Sequence, residues 1–286
     1  MKLADLKKIV IVGTGTMGIQ ISELIALNAF NVVLKSRNES TLECGLKKIK
    51  ENLQRSVNEK RITLEKANEA MSRITGTTSF REAGKNADIV IESIVEDVEE
   101  KKRLFKELTE VCPLYTIFFS NTSSLSITDL ATSVKTPQRF IGLHFFNPAT
   151  AIKLVEIIEG KDTSPEATEI TKKFAASLHK IPIVVGDSPG FLVNRMLIPM
   201  INEAVFMLEE GVASKEDIDL SMKLGAKHPM GPLELADLIG LDVCLSIMES
   251  LFRQFNNSKY RPCPLLLKMV QKGHLGRKTN RGFYQY

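Results

Sequence analysis

A histidine and a glutamate twelve residues apart, His144 and Glu156, each fall in an apolar run of strand character, at residues 139–145 and 153–158. Paired neighbouring strands would bring the carboxylate to the imidazole. A carboxylate in that place fixes the tautomer of the ring and raises its basicity, which makes a proton acceptor and donor. His144 also ends its run, where open parallel sheets place reactive groups. Taken singly, each residue has a plainer reading: a lone histidine is more often structural, and Glu156 alone would pass for the solvent-facing position of an alternating strand.

A second constellation lies near the amino terminus. In "IVIVGTGTMGIQISELIA" a β-branched strand meets a helix through Gly13, Gly15 and Gly18, with Thr16 and Met17 inside the GxGxxG spacing. The first glycine permits the tight turn, the second admits a pyrophosphate to the backbone, and the third lets helix and strand pack closely. Amides at the helix start then hold the phosphates. Ile19 and Gln20 follow where a nucleoside-triphosphate loop needs Lys-Ser/Thr. None of His144, His179, His228 and His274 lies in an HExxH helix, so no metal is expected.

A dinucleotide strand normally delivers an acid for the ribose hydroxyls about twenty residues after the glycines. Ser36 and Arg37 stand there instead. An acid would repel a 2′-phosphate, which Ser36 can hydrogen-bond and Arg37 can neutralise, so NADP is favoured over NAD. The alternative is that Arg37 is a solvated loop residue and the riboses are held elsewhere.

The elements that must position these residues alternate. Strand-like runs at 8–12, 31–34, 87–92, 116–120, 139–145, 153–158 and 181–185 are interleaved with helical spacing at 41–57, 98–111 and 165–178. That order predicts an α/β fold, a Rossmann-type doubly wound, mostly parallel sheet. After "VVGDSPGF" the pattern turns helical, and Gly186, Pro189 and Gly190 punctuate the change. The expected domains are 1–186, for dinucleotide binding, and an all-helical 187–286.

Composition narrows the function classes. A hydrophobic share of 43% with 25% charged residues is that of a globular protein. Cys44, Cys112, Cys244 and Cys263 are scattered without CxxC spacing, which fits a reducing, cytoplasmic setting. The stretch Met1 to Lys8 carries no export signal. The apolar segment 191–208 contains Asn194, Arg195, Pro199, Asn202 and Glu203, so no membrane span is expected. A net charge of +4 with no basic tract speaks against nucleic acid.

At "FFSNTSSLSITDL", "RFIGLHFFNPATAIKLVEII" and "GFLVNRMLIPMINEA" the chain resembles the 3-hydroxyacyl-CoA dehydrogenases, and in particular their bacterial 3-hydroxybutyryl-CoA branch. The likeness continues through "HPMGPLELADLIGLDVC" and the terminal "LGRKTNRGFY". It implies oxidation of an (S)-3-hydroxyacyl-CoA in fatty acid or butyrate metabolism, and a homodimer formed by the helical domain. It implies His144 as base and acid, Ser123 on the reacting oxygen and Asn194 holding substrate. Glu96, Lys101 and Asn121 would surround the nicotinamide. Asn147 and Pro148 would shape a loop.

Other tasks are open to some of these residues. Ser123 could instead cap a helix, a role that Ser124 or Ser126 would also fill. A mid-helix Asn194 with no task would weaken its helix, which favours a functional role.

Residues 43–66 resemble the family's helical hairpin near 40–70 that covers coenzyme A, here part of the substrate. Lys50 and Arg55 are its candidate contacts, among mixed charges that an ordinary solvated helix also shows. Where related enzymes carry lysines, this chain has Arg55 and Glu59, the second inverting the charge. A relative acting on free 3-hydroxy acids would not need that wall. A short-chain dehydrogenase would need Tyr-x-x-x-Lys, which Tyr115, Tyr260 and Tyr284 lack. A non-catalytic dinucleotide binder would have no use for Ser123, His144 and Glu156 together.

Overall fold

Apolar runs bounded by glycine and polar turns become the strands. The computed structural model describes residues 6–286, so residues 1–5 of the amino-terminal stretch read above lie outside the described residues. The chain divides after Asp187 into two units.

The first unit runs β1 (Ile9–Val12), α1 (Thr16–Leu27), β2 (Val32–Lys35), α2 (Glu39–Asn58), α3 (Leu64–Ser72), β3 (Ile74–Thr77) and α4 (Phe80–Gly84). It continues through β4 (Ile89–Glu92), α5 (Val98–Val111), β5 (Ile117–Ser120), α6 (Ile127–Ala131), β6 (Phe140–Phe145), β7 (Leu154–Glu159), α7 (Pro165–Ser177) and β8 (Ile181–Gly186). One eight-stranded sheet has the order β3-β2-β1-β4-β5-β6-β7-β8. Every neighbouring pair is parallel except β6 and β7. The strand order reverses at β1, between β2 and β4, and a doubly wound sheet opens its ligand crevice there, beyond the carboxyl ends of the strands.

Strands β1, β4 and β5 are buried at every position, as expected where helices cover both faces of a parallel sheet. Strand β3, "ITGT", carries no such signal: only Ile74 and Thr77 are buried, and it lies at one edge. At the other edge the β8 amides alternate in direction. Ile181 N and Asp187 N donate to Lys153 and Glu159 of the β7 side, so the even positions, Pro182 among them, face outward.

Helix α2 starts at Asn38, whose side chain accepts from Thr41 N, and buries Leu42, Gly45, Ile49 and Leu53 at spacings of three and four. Burial of Ile49 and Leu53 contributes about 1.5–3 kcal/mol each. The opposite face holds exposed Lys47, Lys48, Lys50, Glu51 and Arg55. Thr63 caps α3, which returns beside α2.

The second unit contains α8 (Val193–Glu209), α9 (Lys215–Gly225), α10 (Pro232–Ile239), α11 (Leu241–Phe255) and α12 (Pro264–Gln271). Its core joins Ile198, Ile201 and Val205 of α8 to Leu233, Cys244, Met248 and Leu266. Asp237 accepts from the amides of Phe283 and Tyr284, and so fastens the terminal residues to α10.

Candidate active site

The glycine loop is shaped by two near contacts and one open space. Gly13 has φ +117°, and a Cβ there would lie 2.2 Å from the Ser93 carbonyl oxygen. At Gly18 it would lie 2.1 Å from the Gly13 oxygen, whereas at Gly15 it would meet nothing within 4 Å. Helix α1 therefore starts hard against β1 with a clear approach over Gly15. No side chain caps that helix and no acid stands in its first turn, so amide donors and the positive helix end are left for an anion. The loop fits the pyrophosphate of a dinucleotide. Thr16 is exposed there, and Met17 packs against the core.

At the end of β2, Lys35 is buried with its Nζ 3.6 Å from the centroid of the Phe80 ring. Ser36 is buried too, and its hydroxyl lies 2.6 Å from Thr41 Oγ1. Arg37 is exposed.

Beyond β4 and β5 a charged network replaces the apolar core. Lys101 of α5, 1% exposed at its side chain, lies 2.5 Å from Glu92 Oε1 and 3.2 Å from Glu96 Oε2. Glu96 Oε1 accepts from Thr122 Oγ1 at 2.5 Å, from Ser123 N at 2.8 Å, and from the Ser123 hydroxyl and Ser124 N and Oγ at 3.2 Å. Burial pushes the Glu96 carboxyl up, but Lys101 and the donors from Thr122 and Ser123 outweigh it and hold the group below its ordinary value. Asn121 accepts from Phe145 N at 2.8 Å, tying the end of β5 to the end of β6. Ser126, not Ser123 or Ser124, caps α6, so the cap reading of Ser123 is set aside.

His144 and Glu156 are direct partners across the antiparallel β6–β7 ladder. Their side chains therefore share a face of the sheet. Nδ1 lies 2.7 Å from Glu156 Oε2, with side-chain exposures of 8% and 1%. A carboxylate at Nδ1 holds the tautomer that presents Nε2 for proton exchange. Phe146 packs on the imidazole with ring centroids 4.5 Å apart. Gln20 of α1 then pins the following loop, donating to Asn147 Oδ1 at 3.1 Å and accepting from Ala149 N at 2.7 Å. Lys180 Nζ donates to the carbonyls of Ala149 and Ile152.

The first unit thus brings Glu96, Lys101, Asn121, Ser123, His144 and Glu156 to the ends of β4, β5 and β6, while Lys50 and Arg55 lie exposed on α2. Asn194 lies in the second unit. It is the second residue of α8 rather than a mid-helix one, so the argument from helix weakening does not apply to it. Glu92 and Gln20 also stand at the site without belonging to any of the sequence motifs. Glu92 had a signal, a carboxylate closing the apolar strand "IVIE"; Gln20 had none, because its partners come from far along the chain. Among the described residues no cluster of three or more His, Cys, Asp or Glu is arranged to hold a metal, and no helix is long and apolar enough to cross a membrane.

Residues 8–188 match the family profile "3-hydroxyacyl-CoA dehydrogenase, NAD binding domain", and residues 190–286 match its C-terminal domain. A 3-hydroxybutyryl-CoA dehydrogenase of Bradyrhizobium diazoefficiens is 49% identical over 99% of this chain and 96% of its own. The human mitochondrial hydroxyacyl-coenzyme A dehydrogenase is 40% identical over 98% of this chain and 91% of its own. Among solved structures, the (S)-3-hydroxybutyryl-CoA dehydrogenase of Ralstonia eutropha superposes with a TM-score of 0.94 at 44% identity, covering 98% of this chain and 99% of the other.

Proposed function

The chain belongs to the 3-hydroxyacyl-CoA dehydrogenase family, and on that premise we propose that it interconverts (S)-3-hydroxybutyryl-CoA and acetoacetyl-CoA with His144 as proton acceptor and donor. The buried 2.7 Å contact between His144 and Glu156 at the end of β6 carries this reading. A nicotinamide cofactor held at the glycine loop would supply the hydride chemistry at C3. His144 Nε2 takes the 3-hydroxyl proton in oxidation and gives it back in reduction. Glu156 stabilises the imidazolium that forms. Ser123 hydrogen-bonds the reacting oxygen, and its loop is fixed by Glu96. Asn194 contributes to substrate binding.

The amides at Gly15, Thr16 and Met17 hold the pyrophosphate, with Glu96, Lys101 and Asn121 on the nicotinamide side. NADP is favoured over NAD, because β2 ends without a carboxylate and Arg37 is exposed beside it. Lys50 and Arg55 on the exposed face of α2 meet the phosphates of coenzyme A. We further propose a homodimer through the second unit, supported by exposed Met196, Leu220, Leu224 and Leu238 on α8, α9 and α10. A cytoplasmic setting agrees with four cysteines that are all free.

The test is purified protein with acetoacetyl-CoA and NADPH or NADH in parallel, read as loss of the reduced-cofactor absorbance. Turnover with faster NADPH oxidation is expected. Faster NADH oxidation would reverse the cofactor assignment. No turnover with either would overturn the reaction.

A further inference from the structure

We propose that Glu92, which takes no part in the proton transfer, is a positioning residue: it neutralises Lys101 inside the protein and so leaves Glu96 to hold the Ser123 loop. The inference rests on the reading of Glu96, Lys101 and Ser123 as site residues given above.

Glu92 is fully buried at the end of β4. Its carboxylate takes three donors: Lys101 Nζ at 2.5 Å and Ile94 N at 2.7 Å on Oε1, and the Ser120 hydroxyl at 2.6 Å on Oε2. Glu92 and Ser120 are register partners across β4 and β5, so the sheet itself fixes where this charge stands. Lys101 meets Glu96 as well, but at 3.2 Å and through Oε2 only. The other Glu96 oxygen is committed to Thr122, Ser123 and Ser124.

A buried ammonium needs a full counter-charge. With Glu92 present, Glu96 supplies only part of it. Without the Glu92 charge, Glu96 becomes the sole counterion of Lys101, and its carboxylate is drawn off the 122–124 loop towards Nζ. The path runs from the sheet to Glu92, then to Lys101, Glu96 and Ser123, with each link a contact of 3.2 Å or less.

Glu92→Gln tests this with little change of shape. Its Oε1 can still accept from Lys101 and Ile94, while its Nε2 donates to the Ser120 hydroxyl, which turns to accept. Calorimetric titration with NADPH and NADH gives a readout that needs no turnover. The expected result for Glu92→Gln is a cofactor Kd weakened about tenfold and a kcat lowered about tenfold, with KM for acetoacetyl-CoA within about threefold of wild type. In a Lys101→Met background the same substitution should weaken the cofactor Kd no further, because the charge that Glu92 serves is gone. Wild-type cofactor affinity in Glu92→Gln, or a loss that adds in full to that of Lys101→Met, would refute the proposal. Should Glu92→Gln not fold, Glu92→Asp keeps the buried charge beside Lys101, and a cofactor Kd within about threefold of wild type is expected; a loss of about tenfold in Glu92→Asp would refute the proposal. An inactive wild type would sink the reaction assigned above but leave these titrations standing.

Discussion

Glu156→Gln separates the charge of the buried carboxylate from its shape. Glutamine is nearly isosteric, and its carbonyl oxygen can accept from His144 Nδ1 where Glu156 Oε2 now does, at 2.7 Å, so the ring keeps its orientation. What is lost is the negative charge that favours the imidazolium once His144 has taken a proton. A hydrogen bond to a charged group contributes about 1.5–3 kcal/mol and a neutral one about 0.5–1.5, so the difference is about 1–2 kcal/mol. The Glu156 side chain is 1% exposed, so water screens little of this. At about 1.4 kcal/mol per factor of ten, kcat/KM should fall about 5- to 30-fold. Initial rates with acetoacetyl-CoA give that ratio, and calorimetry should show cofactor affinity within about twofold of wild type. A variant as fast as wild type would mean that the carboxylate does not assist proton transfer. A parallel loss of cofactor affinity would make the pair architectural instead.

Three further outcomes are expected. His144→Ala should remove most turnover while leaving cofactor affinity nearly intact; substantial residual activity in the same absorbance assay would place the base elsewhere. Ser36→Asp should shift preference from NADPH towards NADH by putting a carboxylate beside the ribose, and an unchanged ratio of kcat/KM values would show that this loop does not read the ribose. Burial raises the Glu23 carboxyl to about 7 from its ordinary value of 4.5, against the opposing hydrogen bond from Asn52 and the charges of Arg61 and Lys48. Because the folded value lies above the unfolded one, the stability that Glu23 contributes is complete below pH 4.5 and is lost as pH rises through about 7. Glu23→Gln should therefore raise the urea midpoint at pH about 8, by up to about 3 kcal/mol of stability, and change little at pH about 4. Equal midpoint shifts at both values would contradict this.

The parts of the fold that could be read from sequence are those where burial is uniform. Strands β1, β4 and β5 are covered on both faces and appear as unbroken apolar runs. Strand β3 could not be read, because an edge strand needs only Ile74 and Thr77 buried and tolerates Gly76 between them. The reversal at β7 leaves a trace in the sequence: residues 146–153 are too few for a helical crossover, and parallel strands need one. Within the site, the His144–Glu156 pairing followed from two neighbouring strand runs and the register brings the residues together. The ties from Glu96 to Ser123 and from Gln20 to Ala149 join segments that only folding makes neighbours, so no local pattern announced them.

The outward place of Pro182 bears on how this protein behaves in a crowded solution. Strand β8 ends the sheet and shows exposed Ile181, Ile183 and Val184, the kind of surface on which another extended chain could dock and lengthen the sheet without limit. Such docking needs a run of outward amides, and proline has none to give. With Pro182 at an even, outward position, the run is cut to Val184 and Gly186. One ring closure at the margin thus lets the strand remain apolar without making the edge a template for aggregation.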